Sequence, residues 1–397
     1  MNNKPLPTSK IILVLILGSL TAFGPLSMDM YLPALPNIAH DLNASTSLVQ
    51  LSLTATLLGL GSGQLIFGPL SDIYGRRKPL TLTLIGFSIS SLLIAFSPNI
   101  TFFIIMRFFQ GFTAAAGIVI ARASARDLYS GKDLTKFIAL LALVNGAAPI
   151  LAPVFGGAVL NYTTWIGVFY VLAFIGLFML AAVSLFLPET LSIENRAERG
   201  IFAILKTFKL LIKDKFFMGI AFTQAFIMSS MFAYIAGSPF VLQNLYGVSP
   251  QKFSLFFALN GIGIIIAAQL GGRLSNRFKE INLLFTGVLI SITGSVFLGI
   301  VVWQDLSLLY LSSALFLVVS SVGLVSTTAF SLAMEAQEKS AGSASAFLGL
   351  IPFIGGAIAS PLVGLAGESS AVPMAIVIGT CSFGALITYI LTLAKKY

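Results

Sequence analysis

The chain has 397 residues, of which 57% are hydrophobic and only 9% charged, with a formal net charge of +9. Soluble domains carry about 25% charged residues, so this composition disfavours a water-soluble enzyme or nucleic-acid binder. With one cysteine, Cys381, and one histidine, His40, neither a disulfide scaffold nor a Cys/His metal cluster can be built, and no cofactor is expected.

Apolar stretches of about 20 residues cross a hydrocarbon core of roughly 30 Å. In chain order they fall at 11–36, 48–70, 80–97, 100–122, 137–160 and 165–187, then at 216–241, 251–272, 282–302, 306–330, 342–366 and 372–394. The predicted fold is an all-α integral membrane protein with twelve transmembrane helices. The longest polar interruption, 188–215, holds ten charged residues in 28 positions. It divides the chain into a six-helix bundle at 1–187, a cytoplasmic linker and a second bundle at 216–397. Lys4 and Lys10 precede the first apolar stretch as in a signal peptide, but no small-residue cleavage site follows.

Orientation follows from the basic residues, which stay on the cytoplasmic side of short loops. With both termini inside, 20 of the 23 Lys and Arg are cytoplasmic. Trp165 and Trp303 then fall at external span ends, where indoles suit the headgroup layer. The halves also show weak internal similarity. Gly68 to Tyr74 reads against Gly272 to Phe278, Pro33 pairs with Pro239, and Pro153 pairs with Pro361, at offsets of 204 to 208. Duplicated six-helix units with a midplane site between them are a transporter architecture, so the partners expected are a small-molecule substrate and the lipid bilayer.

Span 1 carries Asp29, the only acidic residue deep within any span, followed by Tyr31. Such a carboxylate is tolerable when protonated or when a cation is near. The loop after span 2 reads Gly68-Pro-Leu-Ser-Asp-Ile-Tyr-Gly-Arg-Arg-Lys-Pro-Leu80, in which Gly68 and Gly75 allow a close approach and a tight turn. Asp72 with Arg76 and Arg77 supplies opposite charges for a latch. Span 4 places Arg107 near the membrane centre, where a guanidinium normally faces a protein interior or an aqueous path. Two readings stand beside that one: a structural Asp29–Arg107 pair, or Arg107 bonding broken backbone near Pro25 and Pro33. Arg122 and Arg126 sit close to the cytoplasmic boundary and are expected to snorkel. Span 5 holds Asn145, then Pro149 and Pro153, which bend a helix, and Gly156 and Gly157, which allow tight packing. Spans 7 and 8 offer a polar-dotted apolar wall of Gln224, Met228, Met231, Tyr234 and Asn260, adaptable to many ligand shapes.

The segment from Gly68 to Leu80 resembles a signature of the major facilitator superfamily, and Arg107-Phe-Phe-Gln-Gly111 a second one. Pro149-Ile-Leu-Ala-Pro-Val-Phe-Gly-Gly157 is similar to the antiporter motif of its efflux members, with Ala152 where glycine is usual. Met28-Asp-Met-Tyr-Leu-Pro-Ala-Leu-Pro36, Met106 to Gly111 and Arg126-Asp-Leu-Tyr129 together resemble the bicyclomycin-resistance branch of the drug:proton antiporters. The resemblance implies that Asp72 faces the N-terminus of span 11 near Ser340 to Ser343, and that Asp127 meets the basic cluster. It implies proton coupling through Asp29 and Arg107, and a substrate cavity of Asp29, Tyr31, Arg107, Asn145, Gln224, Met228, Met231, Tyr234 and Asn260. The function it implies is efflux of small lipophilic or cationic drugs by a monomer in the cytoplasmic membrane, without enzymatic activity. A proton-independent facilitator or uptake carrier of a small metabolite is the alternative.

Overall fold

A chain this apolar must satisfy its backbone polar groups internally, which leaves helices or closed barrels. The structure, a computed structural model, describes residues 10–196, 211–337, 341–367 and 369–394. Among them every regular element is helical. The first span, α1, is broken into Lys10–Thr21, Phe23–Asp29, a 3-10 turn Leu32–Ala34 and Leu35–Asp41. Pro33 and Pro36 sit in the first turns of the last two pieces, where the missing N–H costs nothing. There follow α2 (Thr46–Tyr74), α3 (Arg77–Ala95), α4 (Ile100–Leu128), α5 (Gly131–Val159) and α6 (Trp165–Phe186). The second half comprises α7 (Lys215–Phe240, extended by a π turn Val241–Leu245), α8 (Pro250–Leu274), α9 (Glu280–Trp303), α10 (Leu308–Ala336), α11 (Ala341–Leu362) and α12 (Val372–Thr392). Eleven of these spans are long and apolar enough to cross a membrane, and α5, described as apolar over Gly146–Val159, supplies the twelfth.

Several helices outrun their apolar cores. α2, α4, α5 and α10 each reach 29 residues, because hydrophobicity marks the hydrocarbon crossing while the backbone ladder runs on to the next cap or breaker. The Ser45 hydroxyl accepts from Leu48 N and the Ser249 hydroxyl from Lys252 N, capping α2 and α8 alike. The Asp214 carboxylate accepts from Phe216 N and Phe217 N to start α7. Trp165 departs from expectation. It is 4% exposed and packs on Phe103 and Phe169, and its Nε1 donates to Asp41 at 2.9 Å. Trp303 is 90% exposed.

The two halves repeat one packing scheme. α2 lies on α4 as α8 lies on α10, and α3 on α6 as α9 on α12. Close approach of α2 and α4 needs glycine, since a Cβ at Gly59 or Gly111 would overlap the opposing backbone. The halves meet along two seams, α2 with α11 and α5 with α8. In one, Ser47 donates to Pro361 O (3.0 Å) and Thr54 to Ala357 O (2.9 Å). In the other, Ser254 donates to Pro153 O (2.7 Å), and Ile150 packs on Gly261. Ser47 and Ser254 occupy equivalent positions, as do Pro153 and Pro361. Gln50 Nε2 on Ala236 O and Gln243 Nε2 on Pro33 O, both at 3.0 Å, join the halves further. All these bonds gather at one end of the molecule, which is closed.

Candidate functional site

Asp29 ends the second piece of α1 and is fully buried. Neither carboxylate oxygen has a hydrogen-bond partner among the described residues. An ionised carboxylate buried in this way is expensive unless it is paired, so the position suits a group that takes up a proton or a ligand. Arg107 on α4 is also fully buried. Its Nη1 donates to Ser27 O at 2.7 Å and to Gln110 Oε1, while Gln110 Nε2 donates to Ser91 Oγ at 2.7 Å. The guanidinium stacks over the Tyr31 ring, 4.0 Å from its centroid, a cation–π contact. Its Nε and Nη2 have no hydrogen-bond partner among the described residues. Asp29 and Arg107 form no ion pair: among the described residues those are His40–Asp41, Arg76–Asp72 and Arg76–Asp127. Arg107 instead bonds Ser27 O beside the break in α1, in line with the reading of Arg107 bonding broken backbone near Pro25 and Pro33.

Asp29 borders a cavity of about 340 Å³ between the halves, with Met28, Pro149, Met228, Met231, Tyr234 and Asn260 also on its wall. Tyr234 and Asn260 are joined by a 2.8 Å hydrogen bond from the amide to the phenol oxygen. A second chamber of about 270 Å³ shares Pro25, Met28, Pro149, Met228 and Met231 with the first and adds Gln64, Arg122 and Gln224. A third, of about 210 Å³, continues past Arg122 to Arg126 and Ser345. The three form one path from Asp29 toward the end opposite the closed seams. A larger apolar groove of about 670 Å³ between α7, α11 and α12 lies on the flank, where Ile358, Leu365 and Ile376 are exposed.

At the end opposite the closed seams Arg76, 5% exposed, is the hub of a charged cluster. Its Nε donates to Asp127 Oδ2 (2.8 Å), and its Nη1 to Asp72 Oδ1 (2.5 Å) and Ser71 Oγ (2.8 Å). Burial opposes its charge, but the hydrogen bonds and charges of Asp127 and Asp72 hold the guanidinium above its ordinary pKa. Glu189, just beyond α6, accepts from the backbone N–H of Arg76 (2.8 Å) and of Arg77 (3.2 Å). A carboxylate there caps the N-terminus of α3. The Arg77 side chain donates to Ser184 O. Gly75 turns the chain with φ 87°. On α5, Gly156 lies directly against Met30 O of α1, and Gly157 against Ser254 of α8. The paired prolines and glycines thus face both the broken helix and the other half.

A family model, Major Facilitator Superfamily, matches residues 17–360. The chain belongs to the Major Facilitator Superfamily. It is 46% identical to the MFS-type transporter YdgK of Bacillus subtilis (strain 168), over 99% of this chain and 98% of that one. It is 32% identical to a bicyclomycin resistance protein homolog of Haemophilus influenzae, over 96% of each, so its relatives include the bicyclomycin-resistance branch. A bacterial homolog of the human lysosomal transporter Spinster, solved in an inward-facing and occupied conformation, superposes with a TM-score of 0.79 at 15% identity, covering 99% of both chains. Family and fold are those of membrane transporters, not of enzymes.

Within this superfamily chain, the structure brings Asp29, Met228, Met231, Tyr234 and Asn260 onto one wall and Gln224 onto the next chamber. Other placements correct the sequence reading. Tyr31 and Arg107 are not on the cavity wall: α1 breaks between Asp29 and the 3-10 turn, turning Tyr31 into the first bundle, where its hydroxyl meets Ser52 Oγ at 2.8 Å. Gly68 has open space where its Cβ would be, so close packing does not account for it. Asp72 pairs with Arg76 four residues on, while residues 338–340 and the side chains of 341–343, at its expected partner helix, lie outside the described residues, as does the Asn145 side chain. Arg122, exposed at the boundary of the span, lines two chambers between the halves. Glu189 was not foreseen. Its signal is a lone acid directly after Pro188 at a span end, and its partners lie more than a hundred positions earlier.

Proposed function

We propose that this chain uses the proton gradient to export small, mostly lipophilic or cationic drugs across the cytoplasmic membrane, working as a monomer by alternating access. Its termini lie in the cytoplasm, and residues 188–215 join two bundles that rock about the central cavity. Asp29 carries the proton and Arg107 fixes the broken α1 beside it. Asp72, with Gly75, Arg76, Arg77 and Asp127, belongs to a latch that meets α11 when the open end closes. The observation that carries the reading is the Asp29 carboxylate, buried without a partner on the wall of the cavity between the halves. An acid so placed binds a proton or a cationic drug group, one at a time, which is the exchange an antiporter requires. The name of the Haemophilus influenzae relative, a bicyclomycin resistance protein homolog, supports drugs as cargo.

The test is drug accumulation in everted vesicles. For a drug of no net charge, one proton moving through 100 mV supplies about 2.3 kcal/mol, enough for a drug gradient of roughly fiftyfold; exchange for a monovalent cation moves no net charge and is driven by the pH difference alone. Asp29→Asn keeps the size and loses the titration, so it abolishes the gradient while drug exchange across unenergised vesicles persists. An undiminished gradient in Asp29→Asn would remove Asp29 from the mechanism. Parental transport insensitive to the proton gradient would point to a facilitator.

A further inference from the structure

Two cations on the substrate path are not used by the proton cycle. Arg122 and Arg126, one turn apart on α4, make no hydrogen bond or ion pair with a described residue. Arg122 borders both the middle and the outer chamber, and Arg126 the outer one. Beside Arg122 in the middle chamber, Gln224 holds a buried Oε1 without a partner. The space from Asp29 to Arg122 therefore has at one end a carboxylate and at the other a guanidinium, neither paired with a described residue, and Met28, Met228 and Met231 between.

The spacing follows from helix geometry. Ile118 of α4 packs against Gly24 of α1. From that contact Asp29 lies five residues along α1 toward the closed end, and Arg122 four residues along α4 toward the open end. At 1.5 Å per residue the two backbone levels differ by about 13 Å. A purely cationic molecule meets Arg126 and Arg122 before it reaches Asp29, and a purely anionic one is repelled by Asp29. A molecule with both charges at opposite ends answers both, and a guanidinium fork suits a carboxylate.

We infer that Arg122 is an anion subsite and that, among the drugs carried, amphoteric ones are bound most tightly, with an amine at Asp29, an acid at Arg122 and an apolar body along the methionines. This rests on the reading that Asp29 exchanges a proton for substrate.

Three matched fluorescent probes test it by equilibrium binding to the purified full chain at fixed pH. Ciprofloxacin has a basic piperazine at one end and a carboxylate at the other; its methyl ester lacks the acid, and its N-acetyl derivative lacks the basic amine. A hydrogen bond to a charged group is worth enough to give roughly tenfold or more in affinity. Ciprofloxacin is therefore expected to bind at least about tenfold more tightly than either derivative. Arg122→Gln brings the ciprofloxacin-to-ester ratio near one and retains the ciprofloxacin-to-N-acetyl ratio, and Asp29→Asn does the reverse. Arg122→Lys, which keeps the charge, keeps part of the ester ratio and guards against a folding defect. Equal affinities for the three probes in the parent, no binding of any of them, or an Arg122→Gln variant with an unchanged ester ratio would each overturn the inference. Loss of drug-driven proton movement with these ratios intact would instead count against the proton-coupled reading alone.

Discussion

Pro361 has no N–H to give to the carbonyl four residues before it, that of Ala357, and the donor that reaches this carbonyl comes from the other half of the molecule. Thr54 Oγ1 donates to Ala357 O at 2.9 Å across the α2–α11 seam, and Ala357 is 6% exposed. Thr54→Val replaces the hydroxyl with a methyl group of the same shape. In the closed seam it leaves a buried carbonyl short of a donor, which costs about 1–3 kcal/mol. When that end opens, the carbonyl meets water in parent and variant alike, so the penalty falls on the closed state only. The equilibrium shifts toward opening by roughly 5- to 150-fold. Tyr162, after α5, and Trp303, at the end of α9, lie at this end and are 91% and 90% exposed. Spin labels on Tyr162→Cys and Trp303→Cys, with Cys381→Ser to remove the native thiol, report the opening as a longer-distance population in pulsed EPR. Thr54→Ser keeps the donor and should match the parent. If Thr54→Val gives the parental distance distribution, or Thr54→Ser shifts as far as Thr54→Val, the seam bond does not set the balance.

Gly75→Ala should destabilise the chain by about 1–3 kcal/mol, because φ 87° with ψ 167° is a glycine conformation and the new Cβ would meet the Glu189 carboxylate; Gly68→Ala, into open space, should be near neutral, and thermal unfolding in detergent distinguishes the two. Arg107→Lys keeps the charge but loses the planar guanidinium whose Nη1 donates to both Ser27 O and Gln110 Oε1 and which stacks over the Tyr31 ring. The transport rate should fall about tenfold, one charge-assisted hydrogen bond's worth, with drug affinity held within a few-fold, as read by comparing vesicle transport with binding.

The twelve spans were legible because hydrocarbon imposes a length on apolar runs, and Asp29 and Arg107 because charge is rare there. Face was not legible. Tyr31 stands two residues from Asp29, about 200° round a helix of 3.6 residues per turn, so nearness in sequence did not place it on the same face, and the chain also turns between them. Arg122 looked like a residue with lipid headgroups in reach; only the packing of α4 against α1 and α2 shows that it points into the path between the halves. Long-range polar contacts were hidden for a different reason. Glu189 reads as the start of a polar linker until the fold brings it to the N-terminus of α3. Asp127 with Arg76 was anticipated only through resemblance, since nothing in spacing joins residues 51 positions apart.

The two seams are equivalent in position but not in chemistry, and the difference bears on how occupancy reaches the gate. Where Thr54 answers a proline-freed carbonyl in the α2–α11 seam, the equivalent contact between α8 and α5 is Ile150 against Gly261, with no polar group. Ile150, Gly261 and Pro149 are also wall residues of the Asp29 cavity, whereas neither Thr54 nor Ala357 borders it. On the proposed cycle, a molecule beside Asp29 would press on the α5–α8 seam directly, and the α2–α11 seam would respond only as the halves move together. Side chains that pack by shape alone shift more readily than a hydroxyl fixed to one carbonyl, because an apolar contact has no direction to lose. On the proposed cycle, the apolar Ile150–Gly261 contact is placed to sense what fills the cavity, and the Thr54 bond, with the Ser254–Pro153 bond of the other seam, to hold the end shut until the halves have moved.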